Sequence, residues 1–160
     1  MEVEPMSDLE LKCYLIAENA HKGQVDKGGR PYILHPLLVS TKVQGEHNRC
    51  AALLHDVIED TDLTEQDLLK MGVPADIVYT VAILTRAKDE TYADYIQRVA
   101  TDGAAVAIKL ADLEQNMDLS RLKKITDKDR KRVKERYEPA YQYLKNIQAQ
   151  KYMEARSGER

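Results

Sequence analysis

At 160 residues, with 24 basic and 27 acidic side chains and a net charge of −3, the chain is long enough for one domain with a real core and has no overall cationic character of a nucleic-acid binder. No apolar run approaches the roughly 18 residues of a membrane span, and the acidic start MEVEPMSDLE lacks the basic region and apolar stretch of a secretory leader. The two cysteines, Cys13 and Cys50, lie in apolar helical patterns without a CxxC motif, so both are expected as small buried hydrophobes in a reducing, cytoplasmic setting.

The first element is a helix. Ser7 and Glu10 read as a capping box, and Leu9, Cys13, Ile16, Ala17 and Ala20 form a stripe that Gly23 ends near His21. Residues 23–34 read as loop, because Gly28, Gly29 and Pro31 punctuate them. Pro36 favours the first turn of a helix through about Val43. A helix over 48–59 follows, then a short one capped by Thr64 and ended at Gly72. Pro74 opens another, with Ile77, Val78, Val81 and Leu84 inward. Thr91 caps a helix holding Tyr92, Tyr95, Ile96 and Val99, and a long helix spans about 103–119.

The last helix begins at Thr126. Its stripe of Val133, Tyr137, Ala140, Tyr141, Leu144 and Ile147 continues through Pro139, which predicts one kinked helix rather than two. No strand alternation or internal repeat stands out. The pattern predicts an all-α bundle of about seven or eight helices in a single domain over 1–160, with a core from about 8 to 153 and a frayed tail at 154–160. Residues 121–136 carry nine basic against three acidic side chains. They read either as a solvated helix face or as a basic lip that draws in an anionic substrate.

Four metal-liking residues sit on three separated segments: His35 in ILHP, His55-Asp56 in LLHDVIED, and Asp112 in KLADLEQNM. Both of the latter motifs interrupt apolar runs, where polar groups are costly unless paired or bound to a cation. Either they satisfy each other in a core, or they converge on an ion. Two imidazoles, two carboxylates and open positions for water suit Mn²⁺ or Fe²⁺ better than a closed structural zinc site. On a continuous helix His55 would share a face with Glu59, and Asp56 with Asp60, which puts a candidate ligand beside a candidate proton-handling group. Asn116, one turn after Asp112, offers a donor and an acceptor to a sugar or phosphate. Lys27 and Arg30 flank Gly28-Gly29 in a loop of the kind that can hold phosphate, or simply form a polar turn. His21 reads equally as a partner behind the site or as a helix-end histidine.

The motifs AHKGQ, GGRPYILHP, AALLHDVIEDT and KLADLEQNM, in this order and spacing, resemble the HD-domain hydrolases of the RelA/SpoT type over about residues 8–145. Within them the resemblance is to the small stand-alone alarmone hydrolases, including metazoan SpoT homologues. It implies a helical HD fold with bound Mn²⁺ (Fe²⁺ or another divalent ion being an alternative) held by His35, His55, Asp56 and Asp112. It further implies a catalytic pair Glu59 and Asp60, a ribose-side Asn116, and a substrate loop in which Lys27 keeps one of the family's two basic positions. The implied activity is removal of the 3′-pyrophosphate of (p)ppGpp. One departure stands out: Asp26 occupies the place of the family's base-contacting Arg, and an acid neither stacks like a guanidinium nor attracts phosphate.

Three functional expectations follow. The first is an Mn²⁺-dependent (p)ppGpp 3′-pyrophosphohydrolase acting in the cytoplasm on a small nucleotide, with neither nucleic acid nor membrane as partner and a homo-oligomer left open. The second is a phosphohydrolase of the same fold acting on another nucleotide, such as the 2′-phosphate of NADPH. The third is a non-catalytic nucleotide-binding module.

Overall fold

The computed structural model describes residues 5–158, and among these no strand occurs, only an isolated bridge between Val25 and Pro31. Length alone assigns the chain to one domain; its contacts group it into two compact units, one up to Thr85 and one from Arg86 on. The N-terminal unit holds α1 (Asp8–Ala20), α2 (Leu34–Thr41), α3 (Glu46–Leu54), α4 (Val57–Asp60), α5 (Glu65–Lys70) and α6 (Ala75–Ile83). The C-terminal unit holds α7 (Tyr92–Val99), α8 (Gly103–Met117), α9 (Asp127–Arg132) and α10 (Glu138–Ser157). Taking α3–α4 and α9–α10 as helices interrupted once each gives the eight of the expected bundle.

In the N-terminal unit α3 is the central helix, packed by α1, α2 and α6. Its small residues Cys50, Ala51 and Ala52, with Cys13 and Ala17 on α1, are fully buried and let the helices approach closely. Ser7 accepts the backbone N–H of Glu10 at 3.1 Å, so the N-terminal cap forms. The reciprocal half of the expected capping box does not. The Glu10 carboxylate is buried and instead accepts from Nε and Nη2 of Arg49 on α3, at 3.1 and 2.9 Å. A carboxylate on the inward face of a helix needs a charged partner more than the helix end needs a second cap.

The expected helix over 48–59 is also corrected. It stops at Leu54 and restarts at Val57, with Asp56 at φ −104°, ψ −1° between the segments. Thr64 and Asp67 form a complete capping box for α5, and Pro74 precedes α6.

In the C-terminal unit α8 buries Ala105, Ile108, Leu110, Leu113 and, among them, Asp112. Helix α10 presses Ala140 and Leu144 inward and packs on α7 and α8. The kinked last helix takes a specific form. Residues Val133–Tyr137 make a π turn joining α9 to α10, in which the Glu138 N–H reaches the Val133 carbonyl. Pro139 has no N–H to give, and its ring would strike the carbonyl four residues back in an ordinary helix; the wider turn relieves that clash. The tail expected to fray from 154 is helical to Ser157, while Glu159 and Arg160 lie outside the described residues. Among the described residues, no helix is long and apolar enough to cross a membrane.

Candidate metal centre and hydrolytic site

His35 enters the site from the start of α2. Its N–H bonds the Tyr32 carbonyl at 3.0 Å, and Pro36 follows in the first turn, where a missing N–H costs nothing. His55 enters at the end of α3. Its Nδ1 lies 2.6 Å from the Ala52 carbonyl, and a carbonyl can only accept, so Nδ1 carries the proton. The ring therefore turns Nε2 towards the cluster. This is the arrangement by which backbone oxygens orient metal-binding imidazoles.

The break after Leu54 puts Asp56 beside both rings. Its Oδ2 is 3.1 Å from His55 Nε2 and 3.9 Å from His35 Nε2, and the two ring centroids are 5.3 Å apart. The Tyr32 hydroxyl donates to the same oxygen. One ligand atom from each of His35, His55 and Asp56 lies within 4.8 Å of the others. Two imidazole nitrogens and a carboxylate oxygen at that spacing fit a divalent first-row cation.

Glu59 and Asp60 project from α4. With Asp56 they form a second group whose oxygens lie within 4.8 Å of one another, and both are exposed where the His35 and His55 imidazoles are not. Asp60 keeps the helical bond from its N–H to the Asp56 carbonyl at 2.9 Å. Asp56 and Asp60 thus stay one helical turn apart. His55 and Glu59 are carried by different helical segments.

In the C-terminal unit Asp112 is buried, and both its oxygens are occupied. Oδ2 accepts from Lys109 Nζ at 2.7 Å and Oδ1 from Asn116 Nδ2 at 3.3 Å. Burial works against the charge of Lys109, but Asp112, Tyr95 and Tyr92 outweigh it and keep the ammonium well above the usual lysine range. The Nζ atom lies 5.3 Å from the centre of the Tyr95 ring, a cation–π contact. Sequence reasoning passed over Lys109. Its only signal was a cation three residues before an acid on one helix face.

No family model matches the chain. The bifunctional (p)ppGpp synthase/hydrolase SpoT of Escherichia coli (strain K12) is 37% identical over 121 residues, 66% of this chain and 17% of that protein. The guanosine-3′,5′-bis(diphosphate) 3′-pyrophosphohydrolase of Haemophilus influenzae is 39% identical over 117 residues, again 17% of its length. The chain thus spans about a sixth of the length of the curated relatives it matches. A solved structure of a metazoan orthologue of SpoT, described as hydrolysing ppGpp and playing a role in starvation responses, superposes with a TM-score of 0.68 at 29% identity. The match covers 94% of this chain and 98% of that one.

The chain belongs to the HD-domain hydrolases of the RelA/SpoT type.

Against that family the loop carrying Asp26 is the informative departure. Asp26 Oδ1 accepts the backbone N–H groups of Gly28 and Arg30 at 2.8 and 2.9 Å, and its own N–H bonds the Arg30 carbonyl at 2.8 Å. Gly29, at φ +81°, closes the turn with a left-handed residue. The acid is the internal brace of this turn, and Lys27 and Arg30 stand exposed on it. In the basic stretch 121–136, Arg130 pairs with Asp127 at 2.8 Å. Arg136 lies on the π turn with its guanidinium 5.0 Å from the Tyr92 ring centre.

Proposed function

We propose that this HD-domain protein is a divalent-metal-dependent phosphohydrolase that removes the 3′-pyrophosphate of (p)ppGpp. The observation that carries the reading is the convergence of His35, His55 and Asp56 next to the carboxylates of Glu59 and Asp60. The curated pyrophosphohydrolase relatives and the ppGpp-hydrolysing metazoan orthologue support it. Mn²⁺ is the proposed ion, held by His35, His55 and Asp56. Asp112 is the further ligand that the family resemblance implies.

When bound, such an ion lowers the pKa of water and draws charge from phosphoryl oxygens. The chain's own residues do the rest. Tyr32 holds the Asp56 carboxylate, and Ala52 holds the His55 ring in the tautomer that presents Nε2. Glu59 takes the proton of the attacking water, and Asp60 returns a proton to the ribose 3′-oxygen as its bond to phosphorus breaks. Water and ppGpp become GDP and pyrophosphate. Lys27 and Arg30 are proposed to meet the phosphates and Asn116 the ribose. The substrate is proposed to be a free nucleotide rather than a nucleic acid, and the setting cytoplasmic.

A second reading has one observation in its favour. By the family resemblance Asp26 stands where an Arg contacts guanine, and its Oδ1 accepts two backbone N–H groups of the turn. That favours a substrate with another base, such as NADPH. The test is phosphate and pyrophosphate release from ppGpp, NADPH and GTP by the Mn²⁺-loaded protein. Pyrophosphate from ppGpp is expected. Orthophosphate from another nucleotide would transfer the assignment to the second reading, and binding without turnover would leave a nucleotide-binding module.

A further inference from the structure

Just beyond the end of α1 lie two side chains that take no part in the chemistry above. His21, 2% exposed, places Nδ1 2.9 Å from Gln24 Oε1, and Gln24 Nε2 donates to the backbone carbonyl of Asp60 at 3.1 Å, 36 residues further on. The orientation of this relay is determined by its far end. A carbonyl can only accept, so the amide nitrogen faces Asp60, the amide oxygen faces His21, and His21 carries its proton on Nδ1. His21 Nε2 is buried with no hydrogen-bond partner, so the ring is anchored through Nδ1 alone. The Tyr32 ring, 4.9 Å from the His21 ring, packs against it. The Gln24 main chain is held as well: its N–H bonds the His21 carbonyl and its carbonyl accepts from Tyr32, both at 2.9 Å.

Asp60 needs such an anchor. It is the last residue of the four-residue helix α4, and the carbonyls at a helix end have no partner within the helix. The next residue, Thr61, is already extended, at φ −136° and ψ 178°. A helix this short does not hold its own end in place.

We propose that Gln24, oriented by His21, is a positioning residue: by tethering the main chain at Asp60 it keeps that carboxylate aligned with the leaving oxygen. The proposal rests on the phosphohydrolase reading of the site. The Gln24 side chain bonds His21 and the Asp60 carbonyl, so it acts through Asp60.

Gln24→Glu is the discriminating change. It is isosteric and still accepts from His21, but it sets an oxygen against the Asp60 carbonyl. Gln24→Asn, one methylene shorter, cannot span His21 and Asp60 and serves as the second variant. In the full chain, kcat and KM for ppGpp, Mn²⁺ affinity by electron paramagnetic resonance, and hydrogen exchange over 57–63 are measured together. Both variants should lower kcat by about 10- to 100-fold, the scale of an ångström of misplacement. KM and Mn²⁺ affinity should stay within about two-fold of wild type if only alignment is lost, and exchange over 57–63 should quicken. Wild-type kcat with wild-type exchange would overturn the proposal. So would kcat, KM and Mn²⁺ affinity collapsing together, which marks a merely structural residue. If the unaltered protein turns over no ppGpp, the ppGpp reading fails. The tether is then judged by exchange alone: unchanged exchange refutes it, and quickened exchange supports it.

Discussion

Replacing Arg49 by Met tests how the helix that delivers His55 is held. The Glu10 side chain is 7% exposed and that of Arg49 33% exposed, and two hydrogen bonds of 2.9 and 3.1 Å join them between α1 and α3. Removing one partner of a fully buried pair costs about 3–5 kcal/mol, and an exposed pair contributes about 0–1 kcal/mol. Here the acid is buried while water reaches the guanidinium. The loss is therefore set at about 2 kcal/mol, because Glu10 is left without its cation inside the fold. At about 2–4 °C per kcal/mol for a chain of this size, Tm should fall by about 4–8 °C. Helical circular dichroism in heat and urea scans measures it. The double variant Glu10→Leu with Arg49→Met removes the stranded charge and should regain most of the loss. A single variant within about 0.5 kcal/mol of wild type would refute the reasoning, as would a double variant no more stable than the single.

Asp56→Ala should abolish Mn²⁺ binding and turnover, whereas Glu59→Ala should keep the ion and lose most turnover; Mn²⁺ titration beside activity separates the two, and full activity in Glu59→Ala would remove that residue from the mechanism. Asp26→Arg takes away the acceptor of two backbone N–H groups and should cost about 1–2 kcal/mol, while Asp26→Asn keeps the acceptor and should unfold like wild type; equal losses would mean that the carboxylate does not brace the turn. Glu90 accepts two bonds from Arg98, at 3.0 and 2.9 Å, which with the Ala87 N–H hold its carboxyl at about 2. Since that lies below the unfolded value of about 4.3, the pair contributes stability above pH 4.3 and loses it as pH falls towards 2. Arg98→Met should therefore flatten the acid dependence of unfolding in that window, and an unchanged slope would count against the pair.

The reach of the sequence is clearest at the HD motif. Apolar runs interrupted by His55, Asp56 and Asp112 marked these residues before any contact was known, because burying such groups is costly without compensation. The spacing misled in one respect. Four-residue periodicity assumed a continuous helix through His55, and the chain breaks there, since an unbroken helix would point successive side chains about 100° apart rather than put His55 and Asp56 side by side. Glu10 shows the same limit. Ser7 three residues before it is the pattern of a capping box, yet its carboxylate serves Arg49, a partner 39 residues away. Asp26 read as a loss of guanine contact; its role in bracing the turn depends on a backbone path that composition does not specify. Gln24 carried no signal beyond its place in the AHKGQ motif.

Local chemistry wrote much of this protein into its order of residues. Thr64, Thr91 and Thr126 start helices because each hydroxyl accepts a free N–H at the first turn. The apolar stripes choose which faces are buried, and Pro139 forces a departure from α geometry. Folding alone decided how far-apart segments meet: Tyr32 on Asp56, Gln24 on the Asp60 carbonyl, Arg49 on Glu10. Helix caps and stripes arise from neighbours within a turn or two, so the sequence displays them directly. Contacts between segments tens of residues apart depend on packing, and no local pattern records it.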